Sequence, residues 1–394
     1  MSWYGDFLTL PALLIIAYRI GGQAGIGIVV AFQTIPLLAL LPFGGQLGDR
    51  GDRRRRLVAL DVWRAGLAAL IMVGAHANIL WVVVVALAAS RTASALYDPG
   101  RRRLVPVVLP SRLVPAGSSL LSVASESSIL VAPALGALLL LFVTPSMLIL
   151  IDGATFLASA ALLARVGPQP SVIRPGAAAA IQGWRSLRRG FDLLLLDNTI
   201  GLFVIQAGLG ALVAAVITVY FVPLVHHGLH LGTNQVGLMY VIVGAASVLG
   251  SALALRHPQV RRRSLLVVGY LHLVVALFVG LMLGPAGVVV ALAVFAGTGA
   301  LQEVWGLNRL QTTTPRDGIG QAFGAALWFQ YMGRAAGAVV GAWGATHLPQ
   351  VEFFGLVVVA AVVVCALTSV SRASLWRRRS VNWPPGGPPL PLEP

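Results

Sequence analysis

Nine ionisable side chains stand inside stretches that are otherwise apolar: Asp6, Asp61, Arg64, Arg91, Glu126, Asp152, His272, Glu303 and Arg334. At the centre of a bilayer such a group costs about 2.5–3.5 kcal/mol on insertion scales, so it is kept where it is paired or used. Depth, at about 1.5 Å per helical residue, sorts them. Asp6 lies roughly 20 Å from the end of its stretch at Arg19, and Arg91 roughly 18 Å from the start of its own at Ile79. Glu126 lies roughly 14 Å from the opposite side of the layer. In a hydrocarbon core about 30 Å thick all three fall near mid-depth and can meet in one cavity. An arginine beside two carboxyls holds one ionised and leaves the other able to take up or release a proton. Exchange coupled to protons needs such a carboxyl, one that answers to a proton or to a cargo but not to both at once. Arg91 is expected as the organiser, and Asp6 and Glu126 as the proton- or cation-binding carboxyls. The competing expectation is a structural ion pair tying three helices together.

The remaining groups read differently. Asp61 and Arg64 are i,i+3 neighbours and are expected to pair with each other or with a nearby basic cluster, in a structural role. Asp152 is roughly 12 Å from the outer face, within reach of water from that side. Glu303 and Arg334 match poorly in depth, and His272 is the nearer partner for Glu303. The run "HHGLH" (His226, His227 and His230) has no neighbouring carboxylate or cysteine and reads as a solvated loop, so no metal site is expected. The lone Cys365 excludes an internal disulfide and a cysteine-cluster metal site.

These side chains must be carried by membrane-spanning helices. Of the 394 residues, 57% are hydrophobic and 10% charged, against about 25% charged in an ordinary soluble domain. The expected fold class is an all-α membrane protein of twelve transmembrane helices in two six-helix bundles. A spanning helix needs about 20 mainly apolar residues. Such runs fall near 3–19, 23–43, 57–75, 79–97, 117–141, 144–164, 196–222, 235–255, 264–283, 287–308, 319–344 and 352–371. With the N-terminus inside, the inner loops and the C-terminal tail hold 24 of the 28 arginines, as the enrichment of basic residues in cytoplasmic loops requires. The chain therefore divides into a bundle at 1–164, a cytoplasmic linker with an amphipathic segment at 165–195, a bundle at 196–371 and a disordered tail at 372–394. Both termini are expected in the cytoplasm, and no cleavable leader is expected. A net charge of +15 invites a nucleic-acid reading, but the arginines lie between apolar runs instead of on one soluble face. No nucleic-acid partner is expected.

Two halves, a basic middle loop and no soluble catalytic domain suggest a secondary transporter. The stretch "GGQLGDRGDRRRRL" (Gly44 to Leu57) sharpens this. Read as Gly45-x-Leu47-Gly48-Asp49-Arg50-x-x-Arg53-Arg54, it resembles the loop signature between the second and third spans of the major facilitator superfamily. Asp52 stands at that family's second glycine, a variant of its drug- and siderophore-efflux branch. Leu87-x-x-x-Arg91 is similar to the family's fourth-span motif, with Ser94 and Ala95 departing from it. Ser128-x-x-x-Ala132-Pro133-x-x-Gly136-Ala137 looks like its antiporter motif, with small residues at three of the glycines.

The resemblance implies that the Gly45, Asp49, Arg50, Arg53 and Arg54 cluster latches the halves, and that Arg91 belongs to proton coupling. It further implies that Pro133 and Gly136 sit in the antiporter helix. Asp49 is expected to accept hydrogen bonds from the free N–H groups of a facing helix start, near Gly318 to Gln321. Arginines alone would explain a positive anchor on anionic headgroups, but not Asp49. The expected function is proton-coupled export of small lipophilic molecules, cationic or not, by alternating access, in the cell membrane. Import of a small nutrient on the same fold is the alternative. A membrane enzyme would need a clustered catalytic set at one face, and the sequence offers none. No cofactor is expected and no ATPase loop of the P-loop type occurs. The expected partners are the bilayer, a cargo molecule and protons, with the protein a monomer.

Overall fold

The computed structural model describes residues 2–41, 53–113, 117, 120, 124, 128, 131–133, 135–167, 178–223, 233–257, 261–280, 284–315 and 318–381. Every regular element among them is a helix: α1 (Ser2–Leu8), α2 (Leu10–Leu40), α3 (Arg53–His76), α4 (Leu80–Val108), α5 (Pro145–Ala164), α6 (Ala178–Leu194), α7 (Asn198–Pro223), α8 (Thr233–Arg256), α9 (Arg262–Gly280), α10 (Gly284–Thr313), α11 (Ile319–His347) and α12 (Gln350–Val381). A single 3₁₀ turn, Ser111–Leu113, follows α4. The described positions between 117 and 139 are helical as well. Each of the twelve expected spans therefore has a helical counterpart among the described residues.

Local chemistry sets the breaks. α1 and the start of α2 make up the first expected span, and α2 runs on into the second; the two spans meet at Gly22, where φ is 59° and ψ is −150°. That backbone conformation is open to glycine and closed to a residue with a Cβ. Asn78, at φ 55°, turns the chain between α3 and α4, in the left-handed region that asparagine tolerates. The α5 start is built from Thr144, whose hydroxyl accepts the Met147 N–H at 3.3 Å, with Pro145 in the first turn. Asp197 caps α7, its Oδ1 accepting from the Thr199 and Ile200 N–H groups at 2.7 and 3.3 Å.

Seven of the described helices are long and apolar enough to cross a membrane by length and composition alone. Two others are apolar over shorter stretches of the described residues, Arg263–Ala276 in α9 and Glu352–Thr368 in α12. α11, with Gln321, Gln330, Tyr331 and Arg334 among its glycines, fails that criterion because its neighbours are protein as well as lipid. Outward faces of α3, α8 and α12 carry Trp63, Leu253 and Leu356 in exposed positions.

Two boundaries differ from expectation. α3 starts at Arg53, so the arginines 53–56 form its first turn instead of a loop. α12 continues to Val381, so residues 372–381, expected as disordered tail, are helical. No proline or glycine interrupts the chain between Gly355 and Pro384, and nothing stops the helix earlier.

Helices pack mainly within each half. α3 lies on α5 and α4, α8 and α9 lie on α10, and α7 lies on α11. α2 crosses between the halves, meeting both α11 and α7. The largest apolar core is continuous through both, from Leu14 and Val29 to Val216, Leu273 and Val358. α6 buries Gly183, Leu187, Gly190 and Leu194 and exposes Trp184, Arg185, Arg188 and Arg189; it docks on α11, with Gly190 against the Gln321 carbonyl.

Candidate functional site

The densest polar feature among the described residues is a buried knot in the first half. Asp6, on α1, sits between two guanidinium groups. Arg64 Nη2 donates to Asp6 Oδ2, and Arg91 Nη1 donates to Oδ1 at 3.0 Å. Arg91 Nη2 reaches the Asp6 backbone carbonyl at 3.2 Å. This carbonyl is available because the helix breaks at Thr9, whose hydroxyl turns back towards Gly5 and Asp6. Arg64 is fully buried; its guanidinium lies 3.9 Å above the Phe156 ring, an attractive placement for a cation. Asp61 Oδ1 is 3.9 Å from Arg64 Nη1. Its other oxygen accepts from the Tyr97 hydroxyl at 3.0 Å, and that hydroxyl also meets Ser159 Oγ at 3.2 Å. Asp152 completes the group. It is buried, and its side chain meets Thr155, whose Oγ1 lies 3.4 Å from Oδ1 and 2.8 Å from the Asp152 carbonyl.

Asp6, Arg64, Arg91 and Asp152 line a cavity of about 20 Å³ together with Thr9, Ser90 and Phe156, enough for one water. Arg64 Nε and Arg91 Nε face the interior without a hydrogen-bond partner, so the knot has donors to spare.

Of the expected trio, Asp6 and Arg91 are in contact; Glu126 lies outside the described residues. Guanidinium groups hold both side-chain oxygens of Asp6. Asp61 and Arg64 do approach each other, yet the principal partner of Arg64 is Asp6. Depth alone missed this, because an arginine side chain reaches several ångströms beyond its own level.

The second half carries a neutral counterpart. Gln302 Nε2 donates to Gln206 Oε1 at 3.1 Å, and Gln206 Nε2 donates to the Leu266 carbonyl at 3.1 Å. These amides join α7, α9 and α10. Sequence reasoning passed over them because uncharged side chains give no depth signal.

Neither expected partner of Glu303 is found there. His272 stacks on Phe295 at 4.0 Å between ring centroids, and its Nδ1 meets the Phe295 carbonyl at 2.9 Å. Glu303, farther along α10 than the His272 contact, accepts from Gln330 Nε2 at 3.2 Å. Arg334 makes no ion pair with Glu303.

Gly136 lets its helix touch α1, since a Cβ there would strike the Leu8 carbonyl. Pro133 is half-buried on the same helix. Gly45, Asp49 and Arg50 lie outside the described residues, as do His226, His227 and His230. Arg53 and Arg54 belong to the first turn of α3.

The sequence profile of the Major Facilitator Superfamily matches residues 1–338. "Putative bacilysin exporter BacE" of Bacillus amyloliquefaciens is 25% identical over 302 residues, 75% of this chain and 74% of that one. "Uncharacterized MFS-type transporter YfiS" of Bacillus subtilis (strain 168) is 24% identical over 369 residues, 87% of this chain and 85% of that one. Two solved structures share the fold. A bacterial homologue of the human lysosomal transporter Spinster, inward-facing and unoccupied, superposes with a TM-score of 0.62 at 11% identity, covering 96% of this chain and 95% of that one. A mutant of the peptide transporter POT gives 0.69 at 15% identity, covering 95% and 93%.

Proposed function

From the premise that this chain belongs to the Major Facilitator Superfamily, we propose that it exports small lipophilic molecules in exchange for protons, by alternating access. It is a multi-pass membrane transporter of the secondary active type and not an enzyme. The observation that carries the coupling is the knot itself: three buried carboxyls share two buried guanidinium groups among the described residues. Such a surplus of acid is costly out of water unless a proton neutralises it. The names of the relatives favour export over import.

Further roles belong to this reading. Residues 1–164 and 196–371 act as the two rocking bodies, in a bacterial cell membrane with both termini in the cytoplasm. Asp6, Arg64 and Arg91 form the coupling centre, with Glu126 as a second acid near it. Asp49 caps the start of α11 and, with Gly45, Arg50, Arg53 and Arg54, latches the halves. In support, the N-cap position of α11 is Gly318, which has no side chain of its own to cap the helix start. The described charges favour an uncharged or acceptor-bearing cargo over a cationic one. Asp6 is already compensated, and Arg334 has no carboxylate partner among the described residues.

Proteoliposomes with an imposed pH gradient, tested with a panel of lipophilic probes, measure both direction and coupling. The expected result is probe efflux driven by inward proton movement and abolished by an uncoupler, with Asp6→Asn and Glu126→Gln flux no longer following the gradient. Unchanged coupling in both variants rejects the assignment of these acids. Probe accumulation against the direction of export favours the importer. Asp49→Asn is expected to lower flux at equal membrane insertion.

A further inference from the structure

We propose that Asp152 is the carboxyl that holds the exchangeable proton; this rests on the proton-coupled reading above and names its site. The knot draws on four helices: Asp6 from α1, Asp61 and Arg64 from α3, Arg91 from α4 and Asp152 from α5. Fully ionised, its described residues would carry one uncompensated negative charge in an interior of low dielectric. Buried ions without a partner neutralise instead. One carboxyl of the three therefore binds a proton whenever the knot is closed to water.

Geometry selects which. Asp6 has a guanidinium on each oxygen. Asp61 receives the Tyr97 hydroxyl at 3.0 Å and has Arg64 Nη1 3.9 Å away. Asp152 has no guanidinium within ion-pair distance among the described residues. Its side-chain hydrogen bond comes from a neutral hydroxyl, Thr155 Oγ1, on its own helix.

Asp152 nevertheless belongs to the knot. It shares the one-water cavity with Asp6, Arg64 and Arg91. From α1 it faces Gly5 and Asp6, from α3 Arg64 with Asp61 behind it, and from α4 Arg91. Arg334, on α11, makes no ion pair with a carboxylate among the described residues, and Glu126 lies outside them. Its seat is specific: the carboxyl lies over Gly5, where a Cβ would overlap Oδ1.

A proton bound there forms the O–H bond of a neutral acid. When the cavity opens, that bond breaks and the proton passes to water. The carboxylate left behind then competes with Asp6 for Arg64 and Arg91. Two groups thereby answer to one proton, and the contact that α1 makes with α3 and α4 changes with it.

Infrared spectroscopy of the reconstituted full-length chain, with aspartate carbon-13-labelled at the side-chain carboxyl, reads this proton without any cargo. The expected wild-type spectrum at neutral pH has a protonated-carboxyl stretch that shifts with the label and is lost under alkaline conditions. Asp152→Asn removes it. Asp152→Glu retains a stretch of the same intensity that no longer follows the aspartate label. Gly5→Ala, which pushes the carboxyl off its seat, moves the band. A label-sensitive band of undiminished intensity in Asp152→Asn or Asp152→Glu overturns the proposal, and so does a wild type without any protonated carboxyl. Should Asp152→Asn fail to fold, Asp152→Glu decides. Probe flux under a pH gradient is measured on the same vesicles: a wild-type band without proton-driven flux sinks the coupling reading and leaves the bound proton on Asp152.

Discussion

A single guanidinium, that of Arg64, organises the first half. It binds Asp6, approaches Asp61 and stacks on Phe156, with almost no exposure to solvent. Removing one member of a buried ion pair costs more than removing both, because the survivor stays charged and unpaired. Arg64→Leu is therefore expected to destabilise the protein by about 3–5 kcal/mol, seen as a lower unfolding midpoint in detergent. Adding Asp6→Asn to it is expected to recover part of that loss. Additive losses in the double variant would mean that the two side chains do not act as a pair. Half of this knot was legible beforehand. The Asp6–Arg91 contact follows from depth, which is arithmetic along a helix. The Arg64–Asp6 contact depends on which way α3 is rotated and how far an arginine reaches, and neither is written in spacing. His272 shows the same limit: expected beside Glu303, it packs on Phe295 and Gly299, about one to two turns away along α10.

Between elements, the closest contacts are made by residues without side chains. On α11 a Cβ at Gly333 would meet the Gly208 carbonyl, and one at Gly337 the Leu212 carbonyl, both on α7. Helix association in lipid gains little from burying apolar surface, so close backbone approach supplies the attraction. Gly337→Leu is expected to force α7 and α11 apart. The cost is at least the 1–3 kcal/mol or so typical of overpacking, with a fall in monodisperse protein on size exclusion. Gly324→Ala, on the same helix with open space around it, serves as the control and is expected to leave the midpoint unchanged or slightly raised. Equal effects at the two positions would contradict this packing. Gly333, Gly337 and Gly341 recur every four residues in the sequence; the helix they pack against is decided only by the fold.

At the scale of the whole molecule, the halves differ in kind while matching in plan. Helices α1, α3 and α4 of the first half are tied by charges, whereas α7, α9 and α10 of the second are tied by Gln206, Gln302 and a carbonyl. A pH change can loosen the first set and leave the second untouched. α2 and α11 join the halves at two levels. Gly27 lies against Ala338 and Ala342 towards one end, and Trp328 Nε1 donates to the Leu38 carbonyl at 3.1 Å towards the other. Alternating access requires each level to part in turn. Gly27→Val is expected to wedge the first level open. Spin labels on α2 and α11 at that end, introduced into a Cys365→Ser background, would then report a longer distance by electron-electron double resonance, with the Trp328 end unchanged. An unaltered distance distribution would show that the Gly27 contact does not hold the halves together.

What the sequence by itself determined was the class of solvent, the number of crossings and the level of each charge along its helix. All three follow from composition and from a fixed rise per residue. What only the tertiary structure decided was azimuth and reach: that Arg64 rather than Arg91 alone grips Asp6, that Asp152 comes in over Gly5 to share their cavity, and that His272 packs on Phe295. Rotation of a helix about its axis is set by the sum of many packing contacts with chain segments far away in sequence. No local pattern encodes that sum, so the partners of a buried charge emerge only when all the helices are in place.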